Sequence, residues 1–200
     1  MATLTWPTSL RPSEVEWRLV SNSSTFTSPF SGATKTQERP GARWMATLVY
    51  DQWRRHEIQA MEAFVVALRG SAGRFYLWNH ARETPLGSAA GVPLVKGANQ
   101  VGAGLETKDW TPDQAGLLLA GDYIGVNGEL KMVVADADSD AGGNATLVIE
   151  PPLRNSPLDN APITITRPTA KFMLVDDEQA GFRYQGPLGG FSIDVMEDIG

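Results

Sequence analysis

Short runs of alternating apolar and polar residues dominate the chain. Glu14 to Val20 (EVEWRLV) sets Val15, Trp17 and Leu19 on one side of an extended backbone, the period-two signature of a half-buried strand. Arg43 to Tyr50 (RWMATLVY) carries Trp44, Ala46, Leu48 and Tyr50 on one side and Met45, Thr47 and Val49 on the other, so it reads as a strand covered on both faces. Arg74 to Trp78 (RFYLW) reads the same way. Between these two strands the period changes. Trp53, Met61, Phe64, Val65 and Leu68, with His56 and Ala60 alongside, recur at helical spacings, while Arg54, Arg55, Gln59 and Glu62 fall largely elsewhere. The pattern predicts one helix over about 52–69, capped by Asp51 and stopped at Gly70. A lone helix with a single apolar stripe has to lie on a sheet.

From about Ala81 the chain turns to Gly, Ala and Pro separating short β-like pieces. Gly121 to Asp136 (GDYIGVNGELKMVVAD) is a hairpin whose Asn127-Gly128 suits a two-residue type I′ turn. Ala145 to Glu150 and Ile163 to Thr166 add two strands, which together suggest a small barrel or sandwich. Lys171 to Val175, Gly181 to Tyr184 and Phe191 to Met196 supply further strands, which the N-terminal part needs to complete its own sheet. The expected fold is mainly β with one amphipathic α-helix. Residues 1–80 and 169–200 form a discontinuous β-sandwich or split barrel, and residues 81–168 form an inserted barrel-like (OB-like) domain. Ser21 to Ser28 fits a hairpin partner or an exposed loop. Ser31 to Arg39 has almost no large apolar residue and is expected to project.

Three runs carry a resemblance. SPFSGATKTQERPGARWMATL (28–48), ALRGSAGRFYLWN (67–79) and GDYIGVNGELKMVVADADSDAGGNATLVIEPPLRNSP (121–157) resemble the distal tail proteins of long-tailed siphophages. The likeness spans most of the chain. It implies a structural virion protein at the distal end of the tail, made in the host cytoplasm and forming a ring of six copies. That ring would join the last tail-tube ring to the tail hub, with the tape-measure protein as a further neighbour, and leave an axial channel through which DNA passes without specific binding.

Composition narrows the alternatives. With 42% hydrophobic and 20% charged residues the chain is of ordinary globular make-up, and 20 Gly with 13 Pro favour many turns over long helices. No cysteine is present, which excludes a disulfide framework, a thiol nucleophile and Cys-ligated zinc. The opening MATLTWPTSLRPSEVEW has neither the basic start nor the apolar core of a signal peptide, and no window approaches a membrane span. Net charge is −6, divided as +4 over 1–82, −6 over 83–168 and −4 over 169–200. An acidic chain without basic clusters is ill suited to gripping phosphates. The bland reading of the split is an uneven scatter of solvated charges. The sharper one is subunit contact, with Thr34, Lys35, Arg39 and Arg43 of one copy meeting Asp194 and Glu197 of the next.

Chemistry is sparse. Asp136, Asp138 and Asp140 start like a calcium loop, but the sixth position is Ala141, the twelfth is Leu147, and the flanks are strands; a turn between strands in which Asp and Asn bond their own backbone is the favoured reading. Gly102-Ala103-Gly104 lacks the strand and helix of a nucleotide loop and reads as a turn. His56 is expected at the edge of the helix stripe and His80 in a polar loop. Neither HExxH nor Gly-x-Ser-x-Gly occurs. Asp176-Asp177-Glu178 reads as an exposed turn beside Gln179 and Ala180. No catalytic residue, metal or cofactor is expected. The alternative to a ring protein is a carbohydrate-binding module of the tail tip that contacts host-surface glycans, with Trp110 as a candidate stacking platform.

Overall fold

The computed structural model describes residues 3–8, 10–178 and 181–200. In chain order its elements are β1 (Thr3–Thr5), β2 (Glu14–Val20), β3 (Ser23–Thr27), β4 (Thr34–Glu38), β5 (Arg43–Arg54), α1 (Arg55–Leu68), β6 (Arg74–Leu77), β7 (Leu94–Val95), β8 (Gly102–Lys108), β9 (Tyr123–Val126), β10 (Glu129–Val133), β11 (Ala145–Leu153), β12 (Ile163–Thr164), β13 (Ala170–Leu174), β14 (Arg183–Gln185) and β15 (Leu188–Glu197). The protein is mainly β with a single α-helix among the described residues.

The two ends of the chain share one sheet, ordered β1-β6-β13-β15-β5-β2 with β14 beside β15; β1 runs parallel to β6 and every other pair is antiparallel. Trp17 on β2 and Phe172 on β13 stand three places apart in that order, about 14 Å on a flat sheet. Their rings nonetheless lie 5.5 Å apart, so the sheet is curled into the split-barrel form. Inside the curl, Trp44, Ala46, Leu48 and Tyr50 of β5 meet Ile58, Met61, Val65 and Leu68 of α1, with Trp6, Phe75, Phe172 and Ile193 completing the core. The opposite face of β5 is only half-buried, so its cover is less complete than its apolar sequence predicts.

The helix begins three residues later than its pattern suggests. β5 keeps pairing with β15 as far as Arg54↔Leu188, across a bulge at which Gln52 takes a positive φ of 60°. Sheet hydrogen bonds thus override the cap, and the Asp51 carboxylate accepts instead from the Gln52 N–H at 2.9 Å. Trp53 therefore packs from a strand, and His56 and Ala60 are exposed. At the far end Arg69 and Gly70 both have positive φ, and a Cβ on Gly70 would lie 2.5 Å from Asp177 Oδ1.

Residues 94–164 make a second sheet, β12-β9-β10-β11-β8-β7. Its ends meet where Leu94 bridges Pro162, Val95 N–H donates to Ala161 O (2.9 Å) and Ile163 N–H donates to Pro93 O (2.9 Å), giving a nearly closed six-stranded barrel. Asn127 and Gly128, at φ of 51° and 77°, form the tight turn of β9–β10. Gly102-Ala103-Gly104 is the start of β8 rather than a turn. Opposite a register shift in β11, Leu105 and Thr107 point inward with the half-buried Ala103 on their side, and Gly102 and Gly104 are exposed.

The barrel is joined to the curled sheet by a buried polar seam. Trp44 donates its indole N–H to Leu130 O (2.9 Å) and its backbone N–H to Glu197 (3.1 Å), and its ring packs on Tyr123 at 5.4 Å. Arg154, just after β11, grips both oxygens of Glu197 (2.8 and 2.6 Å) and donates to Ala42 O (3.0 Å). Beneath them Lys131, fully buried, pairs with Glu129 at 2.6 Å and donates to Pro152 O at 2.8 Å. Burial alone would raise the Glu129 carboxyl, but Lys131 and the N–H groups of Arg154 and Asn155 hold it below the usual range. Removing one member of such a pair strands a buried charge. Arg154→Met should therefore cost about 3–5 kcal/mol in urea unfolding, and adding Glu197→Met to it should recover part of that loss; additive costs in the double-mutant cycle would contradict the coupling.

Candidate subunit-contact surface

β3 and β4 belong to neither sheet. They pair only with each other, in five register pairs from Ser23↔Glu38 to Thr27↔Thr34, and form an arm about 17 Å long. Thr residues favour the extended backbone, and the hydroxyls of Thr25 and Thr36 meet at 3.2 Å across it. At the tip Ser28 N–H donates to Ala33 O (2.8 Å) and Gly32 N–H to Ser28 O (2.9 Å). At the root Arg39 N–H donates to Asn22 O (2.7 Å) and Asn22 Nδ2 to Pro40 O (2.7 Å). Almost every arm residue is exposed, including two phenylalanines, Phe26 at 67% and Phe30 at 100%.

The sequence-expected contact residues fall into two groups. Thr34 and Lys35 stand on β4 and Arg39 at the arm's root, all exposed, with Arg43 half-buried at the start of β5. Asp194, on β15, is exposed and accepts from Thr47 Oγ1. Glu197 is different. It is 1% exposed and saturated by Arg154 and the Trp44 N–H of its own chain, so its expected pairing with a neighbouring copy is replaced by the seam. The acid and the base are both present, but the base comes from the barrel, which the charge count could not reveal.

Beside the arm's root lies a groove of about 690 Å³, walled by Pro40, Ala42, Pro151, Leu153 and Ile199 and edged by Glu38 and Arg39. Three distant segments meet there, so only the Pro-Gly and Pro-Pro pairs hinted at it in sequence. The exposed Phe30 was missed, although a second phenylalanine four residues after Phe26 in a Ser- and Thr-rich stretch was a signal for it.

Other candidates resolve into structural roles. Asp140 accepts the N–H groups of Gly142 and Asn144 in its own turn, as expected, whereas Asp136 and Asp138 accept those of Ala120 and Gly116 on the facing loop, each at 2.7–2.8 Å. Trp110 is buried with its indole N–H on Thr107 Oγ1 (2.7 Å), which removes it as a sugar platform. Asp177 accepts from Ser71 N (2.8 Å) and Oγ (2.6 Å) and ties its turn to the helix end, while Gln179 and Ala180 lie outside the described residues. Models of known protein families and curated proteins offer no match to this chain.

His80 is no loop filler. Its ring lies 4.6 Å from that of Trp78 and 6.3 Å from that of Trp6, and both ring nitrogens are buried without a hydrogen-bond partner among the described residues. Burial pushes its pKa down to about 4; Glu83 opposes this, while Arg11 and Arg167 add to it. The unfolded imidazole takes up a proton below about 6.5 and the folded one only near 4, so stability is complete above pH 6.5 and falls as the pH drops through that window. The wild type should lose up to about 3 kcal/mol more than His80→Phe between pH 7 and pH 4 in urea titrations; equal losses would contradict this.

Proposed function

We propose that this chain is a structural subunit of the tail tip of a long-tailed bacteriophage, forming a ring, of six copies, that joins the tail tube to the tail hub and leaves an axial channel for DNA. The observation that carries the reading is the arm. A two-stranded ribbon standing alone in water is marginal, and this one ends in an exposed phenylalanine while its root is fastened to a rigid body. Such an element suits a chain that is completed by its neighbours. The arm and the body it would meet are different surfaces of the same chain, the arrangement that produces head-to-tail contact and ring closure.

In this reading Thr34 and Lys35 on the arm, with Arg39 and Arg43 near its root, contact the next copy, and Asp194 offers the acid. The resemblance of residues 28–48, 67–79 and 121–157 to distal tail proteins supplies the place in the virion, with tail-tube, hub and tape-measure proteins as partners. The acidic balance of the chain suits a channel wall that lets DNA slide. Replacing residues 24–37 by a two-residue Asn-Gly turn should leave the melting curve of the body intact and abolish its multimers on a sizing column. Multimers that survive removal of the arm would refute the assignment.

A further inference from the structure

We infer that the groove at the root of the arm is the seat of the arm tip of a second copy; this rests on the ring reading above and names the contact that would close it. The tip is the segment Ser28–Gly32, uncharged and carrying Phe30, with Phe26 two residues before it. Both rings are exposed, Phe30 fully, in an arm whose other residues are Ser, Thr, Pro, Gly, Ala, Lys, Gln and Glu. The groove is the complementary shape: concave, about 690 Å³, apolar along Pro40, Ala42, Pro151, Leu153 and Ile199. A volume in that range suits one or two aromatic side chains held among apolar walls.

A copy cannot fill its own groove. Residues Glu38 to Ala42 of the groove are the arm's root, and the β3–β4 register carries Phe30 about 17 Å away from them. The occupant must therefore come from another molecule, and a second copy brings the matching shape. Lys35, the one cation between root and tip, has Glu38 to meet on the groove's edge, beside Arg39 and the Glu197-paired Arg154. Each copy then gives one tip and receives one, a heterologous contact that propagates around a ring. The groove is also stiff where it needs to be. Its barrel wall is held by Lys131 on Pro152 O and by Arg154 on Glu197 and Ala42 O, so the seat exists before the guest arrives.

The absence of native cysteine makes the contact directly testable. Phe30→Cys combined with Leu153→Cys should give, on mild oxidation of the full chain, a ladder of covalent multimers. Phe30→Cys combined with Leu158→Cys, an exposed barrel position outside the groove, should give none. The single variant Phe30→Ser, which touches no core, should raise the concentration for half-assembly at least tenfold without moving the melting curve. Wild-type multimers with no ladder from the groove pair, or equal ladders from both pairs, would overturn the seat and leave the ring standing. A wild-type chain that stays monomeric at its highest soluble concentration, with and without tail-tube protein, would overturn both.

Discussion

The structure hangs on Trp44. Its ring lies in the core of the curled sheet, its indole N–H is spent on a barrel carbonyl, and its backbone N–H helps hold the buried carboxylate of Glu197, which Arg154 neutralises from the barrel side. Two cores that could have turned freely about their two connections are thereby fixed in one relation. The cost is real, because Glu129, Lys131 and Glu197 are nearly or fully removed from water. What offsets it is geometry: the buried charges face partners at 2.6–3.2 Å, and the remaining lone pairs of Glu129 are taken by backbone N–H groups. A network of this kind specifies orientation more than it adds stability, and orientation is what a subunit of a closed ring requires.

From that rigid body the arm projects with no support of its own. Its strands spend their inner hydrogen bonds on each other and leave the outer ones and two phenylalanines to solvent. The contrast between a locked body and an incomplete arm connects the fold to the proposed role. In that role body geometry would set the angle between copies, and the arm would supply the contact that a neighbour completes. The groove stands where the two meet, walled on one side by the arm's root and on the other by the strand end that the seam immobilises.

Much of this was legible in the chain. Period-two runs located β2, β5, β6 and β15, Asn127-Gly128 located the β9–β10 turn, and the return of strands after residue 169 pointed to a sheet shared by both chain ends. What escaped was non-local. The first turn of the predicted helix is strand because β15 reaches Arg54, a pairing partner more than 130 residues away that no local pattern contains. Gly102 to Gly104 is strand because β11 needs an edge to bond, although small residues read as a turn. The charge split suggested that Glu197 was available to a neighbour, whereas Arg154 had already claimed it. In the candidate contact surface, the arm was visible as a polar stretch too poor in apolar residues to bury itself; the groove at its root, built from three segments, was not.

The most direct measurement is the solution mass of the full chain by light scattering on a sizing column at physiological salt, alone and with tail-tube protein. A ring subunit should give a closed species of six times the 21.6 kDa chain mass, formed alone or on the tube as template. A single 21.6 kDa species at every concentration, unchanged by tail-tube protein, would contradict it.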